Sequence, residues 1–306
     1  MRKNSTLVEF FDLHYLPLRL RSRSRSTVRL YRHTFRKFDE FLARQARLSD
    51  LTDATVSRLL SWCREKDLSP RTANKLRDQL LAIWRFACRK GVLRMWPDVE
   101  PEPEPERVPQ AWSQQQLSSL FTAIREAQGW IGKIRANLWW NALHLVLYDT
   151  GERIGAVMQL AWDNVDLDSG WVRFPAETRK GGRRDRAYRV APETIEALRL
   201  ILVPWRDDVF TWPYDSVYIY ARYKRLLRRA GLPNDRTSMF HRMRRTTASL
   251  FEAAGGNATE LLGHSSRAVT KKYLDPRLLN APQAIDKLPR PGQARRTKPA
   301  DDADGG

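Results

Sequence analysis

Three separated clusters in the second half of the chain hold side chains that fit poorly in a core: TGERIG at 150–155, HRMRRT at 241–246 and LLGHSSRAVTKKY at 261–273. Together they offer permanent cations, imidazoles and a phenol, the set that cleavage of a phosphodiester would use. That reaction passes through a five-coordinate phosphorus whose non-bridging oxygens gather negative charge, and fixed cations stabilise it. A guanidinium is always protonated and its planar fork binds two oxygens at once, so Arg153 and Arg244 could clamp a phosphate from two sides. His241 and Arg244, three residues apart, share a helix face. This places an imidazole beside one clamp, able to bond the phosphate or take a phenolic proton, while His264 could donate to a non-bridging oxygen. A phenol is a poor nucleophile at neutral pH and needs cations and a base nearby. Tyr273 stands in the third cluster; Tyr218, Tyr220 and Tyr223, in a segment rich in arginine, compete with it. Each residue alone also has an ordinary reading: Arg153 as a helix-end cap, either histidine as a satisfied structural group, Tyr273 as core.

The composition points to a polyanion. The 306 residues include 54 Lys and Arg against 35 Asp and Glu, a net charge of +19, which favours nucleic acid over a small acidic or neutral substrate. Two cysteines, Cys63 and Cys88, build neither a disulfide framework nor a cysteine-rich zinc site and fit a reducing compartment. The opening segment does not read as a signal peptide, and LWWNALHLVLY at 138–148 is far shorter than the roughly 20 apolar residues a membrane span needs. A cytoplasmic, nucleoid-associated protein without membrane contact is expected. No G-x-x-x-x-G-K-[ST] loop, G-x-S-x-G elbow, H-E-x-x-H pair or acidic two-metal cluster is present, so neither nucleotide, metal nor other cofactor is implied.

Residues 98–110, DVEPEPEPERVPQ, alternate Pro with Glu, which blocks helix and favours extended backbone. A helical DNA-binding domain is therefore expected over 1–96, a Pro/Glu linker over 97–110, a catalytic domain over 111–287 and a disordered tail over 288–306. The first piece carries 22 basic and 9 acidic residues, the remainder 32 and 26, so most of the excess charge sits in the smaller piece. Val28, Tyr31, Phe35, Phe38 and Leu42 recur at steps of three and four, one stripe of an amphipathic helix. A second helix should open at Ser69–Pro70, bury Ala73, Leu76, Leu80, Ile83 and Ala87, and stop at Gly91. Arg71, Lys75, Arg85 and Arg89 fall on its opposite face, within reach of a phosphate backbone. Arg19, Arg21, Arg23 and Arg25 alternate with Leu or Ser and read as a basic loop that also meets DNA. Beyond the linker, 114–124, 138–148 and 217–231 read as helices, and 171–176 with 186–192 as a hairpin around KGGRRD. The fold class is mainly α, in two domains: a helical DNA-binding domain and a mostly helical catalytic domain with a small antiparallel sheet.

In order and spacing, the three clusters resemble the tyrosine recombinases, the phage integrases and their relatives. Arg153 falls at the Arg of that family's T-G-x-R motif, His241 and Arg244 at its H-x-x-R motif, and His264 at its L-G-H motif, with Tyr273 nine residues further on where the nucleophile stands. Lys180 occupies the family's β-hairpin lysine position and is the candidate general acid. The resemblance implies a 3′ DNA end left on Tyr273 and a freed 5′ hydroxyl. It also implies double-stranded DNA as partner and a homotetramer on two duplexes, with room for an accessory DNA-bending protein. Topoisomerase-like strand passage and a cleavage-inactive DNA-binding regulator are the rival readings. The sequence departs from the pattern at Ala156, where an acid is usual three after the Arg, at Arg245, and in a short Arg244–His264 spacing.

Overall fold

The computed structural model describes residues 4–21, 25–179, 181 and 184–279. Lys180, Arg23 and the expected tail over 288–306 lie outside the described residues. The chain forms two compact units, Met1–Glu106 and Arg107 onward, each with its own apolar core.

In the first unit, α1 (Leu7–Phe10) opens with a reciprocal Thr6–Glu9 capping box. It runs through a π turn (Phe11–Tyr15) into α2 (Leu16–Arg19). The wider turn lets Phe10, Phe11 and Tyr15 all face inward. They meet α3 (Arg25–Leu42), whose Tyr31, Phe35 and Phe38 are buried as the stripe predicts. Phe11 stacks on Tyr31 at 5.2 Å between centroids, and the buried hydroxyls of Tyr15 and Tyr31 meet at 3.1 Å. The sequence reading passed over α4 (Asp53–Glu65), capped by Thr52. Next, α5 (Pro70–Arg89) has the expected Ser69 cap and buries the expected line, while Arg71, Lys75, Arg85 and Arg89 are exposed. The reading of Arg19–Arg25 as loop needs correction. Arg19 ends α2 and Arg25 begins α3, with Arg21 in an exposed turn between them. A solvated first or last helical turn carries no apolar stripe, so alternation of Arg with Ser hides it.

The Pro/Glu stretch has neither helix nor strand, yet it is strapped onto this unit. The Asn74 amide closes on the Glu102 peptide with two bonds, accepting from its N–H at 2.7 Å and donating to its carbonyl at 2.8 Å. Asn74 also donates to the Glu104 carboxylate at 2.8 Å. Arg77 Nε donates to the Val99 carbonyl at 2.8 Å.

The second unit begins with α6 (Gln114–Arg125), capped by Ser113. A two-residue ladder of β1 (Trp130–Ile131) and β2 (Ile134–Arg135) leads into α7 (Ala136–Thr150). This helix is buried nearly all round by Trp139, Trp140, Leu143 and Leu147, so it lacks a polar face. After α8 (Ile154–Val157), β3 (Val165–Asp166), β4 (Trp171–Phe174) and β5 (Arg186–Arg189) form an antiparallel sheet, with Trp171 opposite Arg189 and Phe174 opposite Arg186. The helices α9 (Pro192–Arg199), α10 (Tyr218–Arg229), α11 (His241–Ala253), α12 (Ala258–Leu262) and α13 (Arg267–Lys271) complete it. The two mainly helical bodies and small sheets match the expected fold class. Among the described residues no helix is long and apolar enough to cross a membrane.

Fully buried His144 on α7 bonds the Trp140 carbonyl through Nδ1 at 2.8 Å, while its Nε2 has no partner among the described residues. Burial pushes its pKa down to about 4. The folded unit therefore holds His144 neutral while the unfolded chain takes up a proton below about 6.5. Its stabilising effect is complete above that value and is lost as pH falls toward 4. Chemical denaturation followed by tryptophan fluorescence should show wild type losing about 2 kcal/mol more than His144→Leu between neutral pH and about pH 5. Equal losses in the two proteins would remove His144 as the cause.

Candidate active site

Helix α7 ends because Gly151 takes a left-handed conformation, φ +60°, and a Cβ there would press on Leu262 at 3.3 Å and Thr247 at 3.4 Å. The chain turns tightly, and Arg153 follows as the N-terminal flanking residue of α8. Its side chain is half-buried, and its guanidinium has no hydrogen bond or ion pair among the described residues. Arg244, one turn into α11, is almost wholly enclosed. It donates to the Gly151 carbonyl through Nη1 and to the Leu262 carbonyl through Nη2 at 2.9 Å. Those bonds tie the end of α7 to the end of α12 through one cation.

Helix α12 also ends in a left-handed glycine, Gly263 at φ +65°. A Cβ there would lie 2.7 Å from Arg186 Nη2 and 3.2 Å from Arg179 Nη2, so glycine lets two guanidinium groups approach the backbone. His264 comes next. Its Nε2 lies 3.5 Å from Arg244 Nη2 and its Nδ1 3.1 Å from Thr270 Oγ1. With Nε2 accepting, Nδ1 carries the hydrogen and donates to Thr270. Asn257 caps α12, and Glu252 accepts from the Ala258 N–H at 3.1 Å and pairs with Arg267. These bonds close the short Arg244–His264 connection.

Tyr273 sits just past α13, half-buried against Ala248, Ala258, Leu262 and Leu274. Three proposed partners surround its ring: His264 at 4.6 Å and His241 at 5.2 Å between centroids, and the Arg244 guanidinium carbon 5.8 Å from the ring centre. Tyr223 instead stacks on Phe240 at 4.2 Å inside the core. Tyr220 packs on Phe240 and Tyr218 on Trp212 and Tyr214. Among the described residues no ring contact joins these three tyrosines to His241, His264 or Arg244. The Arg19, Arg21, Arg25, Arg71, Lys75, Arg85 and Arg89 group belongs to the other unit.

The field of the site is strongly positive. Partial desolvation and then the charges of Arg245, Arg244, Arg153 and His264 pull exposed His241 down to about 4. Desolvation, Arg244 and Arg153 do the same to His264. Burial and Arg153 lower Arg244, while Glu152 and Tyr273 oppose them. Both imidazoles are thus neutral at pH 7, and the surplus positive charge around them is one that an anion would neutralise. Arg245, the departure from the family pattern, adds to this field from a half-buried position.

Several contributors escaped the sequence reading. Glu152, in the variable position of T-G-x-R, is buried and binds Arg179 at 2.7 Å and the Tyr188 hydroxyl at 2.9 Å. Thr270 orients His264. Asp275 accepts from the Ala111 N–H at 2.8 Å, and Thr246 Oγ1 from the Trp112 N–H at 2.8 Å, fastening the start of the unit beside α11. Only the acid inside TGER gave a signal, and no spacing singled it out.

Residues 112–278 match the family model described as the phage integrase family, and residues 6–99 match the phage integrase SAM-like domain. The chain is 26% identical over 299 residues to tyrosine recombinase XerC of Neisseria gonorrhoeae, covering 86% of this chain and 90% of that one. It is 24% identical over 291 residues to tyrosine recombinase XerA of Thermococcus kodakarensis, covering 89% and 92%. Its fold resembles that of the Tn1549 transposon integrase in complex with circular intermediate DNA, with a TM-score of 0.69, 16% identity and coverage of 88% and 95%. It also resembles a lambda integrase tetramer bound to a Holliday junction, with a TM-score of 0.68, 18% identity and coverage of 90% and 78%. With more than half its length inside that first match, the chain belongs to the phage integrase family, the tyrosine recombinases.

Proposed function

We propose that the protein is a site-specific recombinase that cuts and rejoins duplex DNA through a covalent 3′-phosphotyrosine, with no nucleotide or metal. The observation that carries this reading is the convergence of His241, His264 and Arg244 on the ring of Tyr273. Arg153 and Arg244 clamp the non-bridging oxygens and stabilise the charge that grows on them. Neutral His241 takes the phenolic proton as the Tyr273 oxygen attacks phosphorus. The bond to the 5′ oxygen breaks, Lys180 supplies the proton that oxygen needs, and a 5′ hydroxyl leaves. His264, held by Thr270 through Nδ1, accepts from Arg244 through Nε2 and steadies that clamp. The phosphotyrosine keeps the bond energy, so reversal by an incoming 5′ hydroxyl reseals the strand.

Residues 1–96 serve as a DNA-binding domain through Arg71, Lys75, Arg85, Arg89 and the arginines at 19, 21, 23 and 25, and 111–287 as the catalytic domain. Exchange between two sites takes two cleavages on each duplex, hence four copies. A relative of the same fold is described as a tetramer on a Holliday junction.

The test is a nicked suicide substrate carrying the chain's own recombination site. A denaturant-resistant adduct should form at full rate in excess chelator without nucleotide, because arginines supply the charge stabilisation. Loss of cleavage on chelation, restored by magnesium with DNA binding unchanged, would overturn the metal-free mechanism. Absence of any adduct would favour the DNA-binding regulator. Free relaxation of supercoils by single copies would favour the topoisomerase-like reading.

A further inference from the structure

Glu152 is almost entirely buried, and a carboxylate taken out of water must be matched by specific donors. Its two oxygens are used differently. Oε1 accepts from Arg179 Nε at 2.7 Å and from the Tyr188 hydroxyl at 2.9 Å. Oε2 accepts from the main-chain N–H of Arg153 at 3.3 Å and lies 3.8 Å from Arg244 Nη1. Both close side-chain donors belong to the β4–β5 hairpin. Arg179 also donates through Nη1 to the Arg184 carbonyl at 3.2 Å, so one guanidinium spans the hairpin connection and ends on Glu152. Tyr188 shares its hydroxyl with the Leu261 carbonyl at 3.2 Å, beside the His264 turn. Arg244, by contrast, directs its close bonds to the Gly151 and Leu262 carbonyls. Ala156, where the family pattern carries an acid, is buried without charge, so the acid inside this part of the unit comes from position 152.

We propose that Glu152 is a positioning residue that locks the β4–β5 connection to the Arg153–Arg244 cradle and so sets where Lys180, next in the chain to Arg179, meets the leaving oxygen. This rests on the reading of Lys180 as proton donor. The carboxylate touches no reacting atom. It acts through Arg179, and misplacement by about 1 Å of a group that must reach a leaving oxygen costs on the order of a hundredfold in rate.

Glu152→Gln keeps the volume and removes the charge. In single-turnover cleavage by the full chain, the variant should be ten- to a hundredfold slower on all-oxygen DNA. It should return close to wild type on a 5′-bridging phosphorothiolate, whose thiolate leaves without a proton. Amide hydrogen exchange should rise over 176–189 and stay unchanged over α11. A wild-type rate on oxygen DNA overturns the proposal. So does an equal defect on both substrates when Lys180→Ala is itself rescued by sulfur, because Glu152 would then act through Arg244 or the fold alone. If sulfur fails to rescue Lys180→Ala, the proton-donor reading fails separately. The anchoring is then judged by exchange: a rise confined to the hairpin supports it and no rise overturns it. Should Glu152→Gln not fold, Tyr188→Phe, which keeps the carboxylate and removes one donor, should show the same sulfur-sensitive defect at smaller size, and a wild-type rate there overturns the proposal.

Discussion

Replacing Tyr273 by Phe should abolish the denaturant-resistant protein–DNA adduct and slow cleavage by at least about 10⁴-fold, because covalent catalysis requires one particular oxygen. The structure makes this a clean deletion. Among the described residues the Tyr273 hydroxyl has no hydrogen-bond partner, and its ring packs on Ala248, Leu262 and Leu274, contacts that Phe retains. Site affinity and thermal midpoint should therefore change little. Peptide mapping of the wild-type adduct should find the nucleotide on YLDPR, the tryptic fragment that begins at Tyr273. An adduct on Tyr218, Tyr220 or Tyr223, or one that survives the substitution, would transfer the nucleophile elsewhere.

Arg153→Ala should lower the cleavage rate about 10²–10³-fold, the size of effect that follows removal of one preorganised donor to a developing oxyanion. It should do so without loss of thermal stability. The Arg153 guanidinium takes no partner among the described residues, and its charge weighs on Arg244, His241 and His264. Relief of that repulsion offsets the packing lost. Arg244→Ala should show a comparable rate defect but also unfold several degrees earlier, since it strips the Gly151 and Leu262 carbonyls of a buried donor. Single-turnover rates and thermal melts of both variants decide between them. Equal destabilisation would mean that Arg153 is a structural cation like its neighbour.

Periodicity carried much of the fold. The α3 and α5 stripes, the Ser69 cap and the 171–189 hairpin stand where alternation and capping chemistry put them. The π turn at Phe11–Tyr15 broke the regular period that would have revealed the first helices. The solvated first turn of α3 disguised Arg25 as loop. In the site, His241, Arg244, His264 and Tyr273, read from short motifs, come together in the fold, and the glycine of the last motif, Gly263, takes the left-handed turn before His264. Glu152 and Thr270 were not. Their partners lie on segments that only tertiary folding brings near, and Arg179 is 27 residues from Glu152 in the chain.

The bonds that close the site also impose a timetable on synthesis. Arg244 reaches Gly151 across 93 residues, and Asp275 reaches Ala111 across 164. Neither can form until its later partner has been translated, whereas every bond within the first unit is available once residue 106 has been made. Chains emerge and fold from the N-terminal end, and long loops close last. On the ribosome, the first unit thus matures while Tyr273 is still unmade and Arg244 has yet to join Gly151. On the function proposed above, a truncated or stalled product would hold DNA without the residues that cut it.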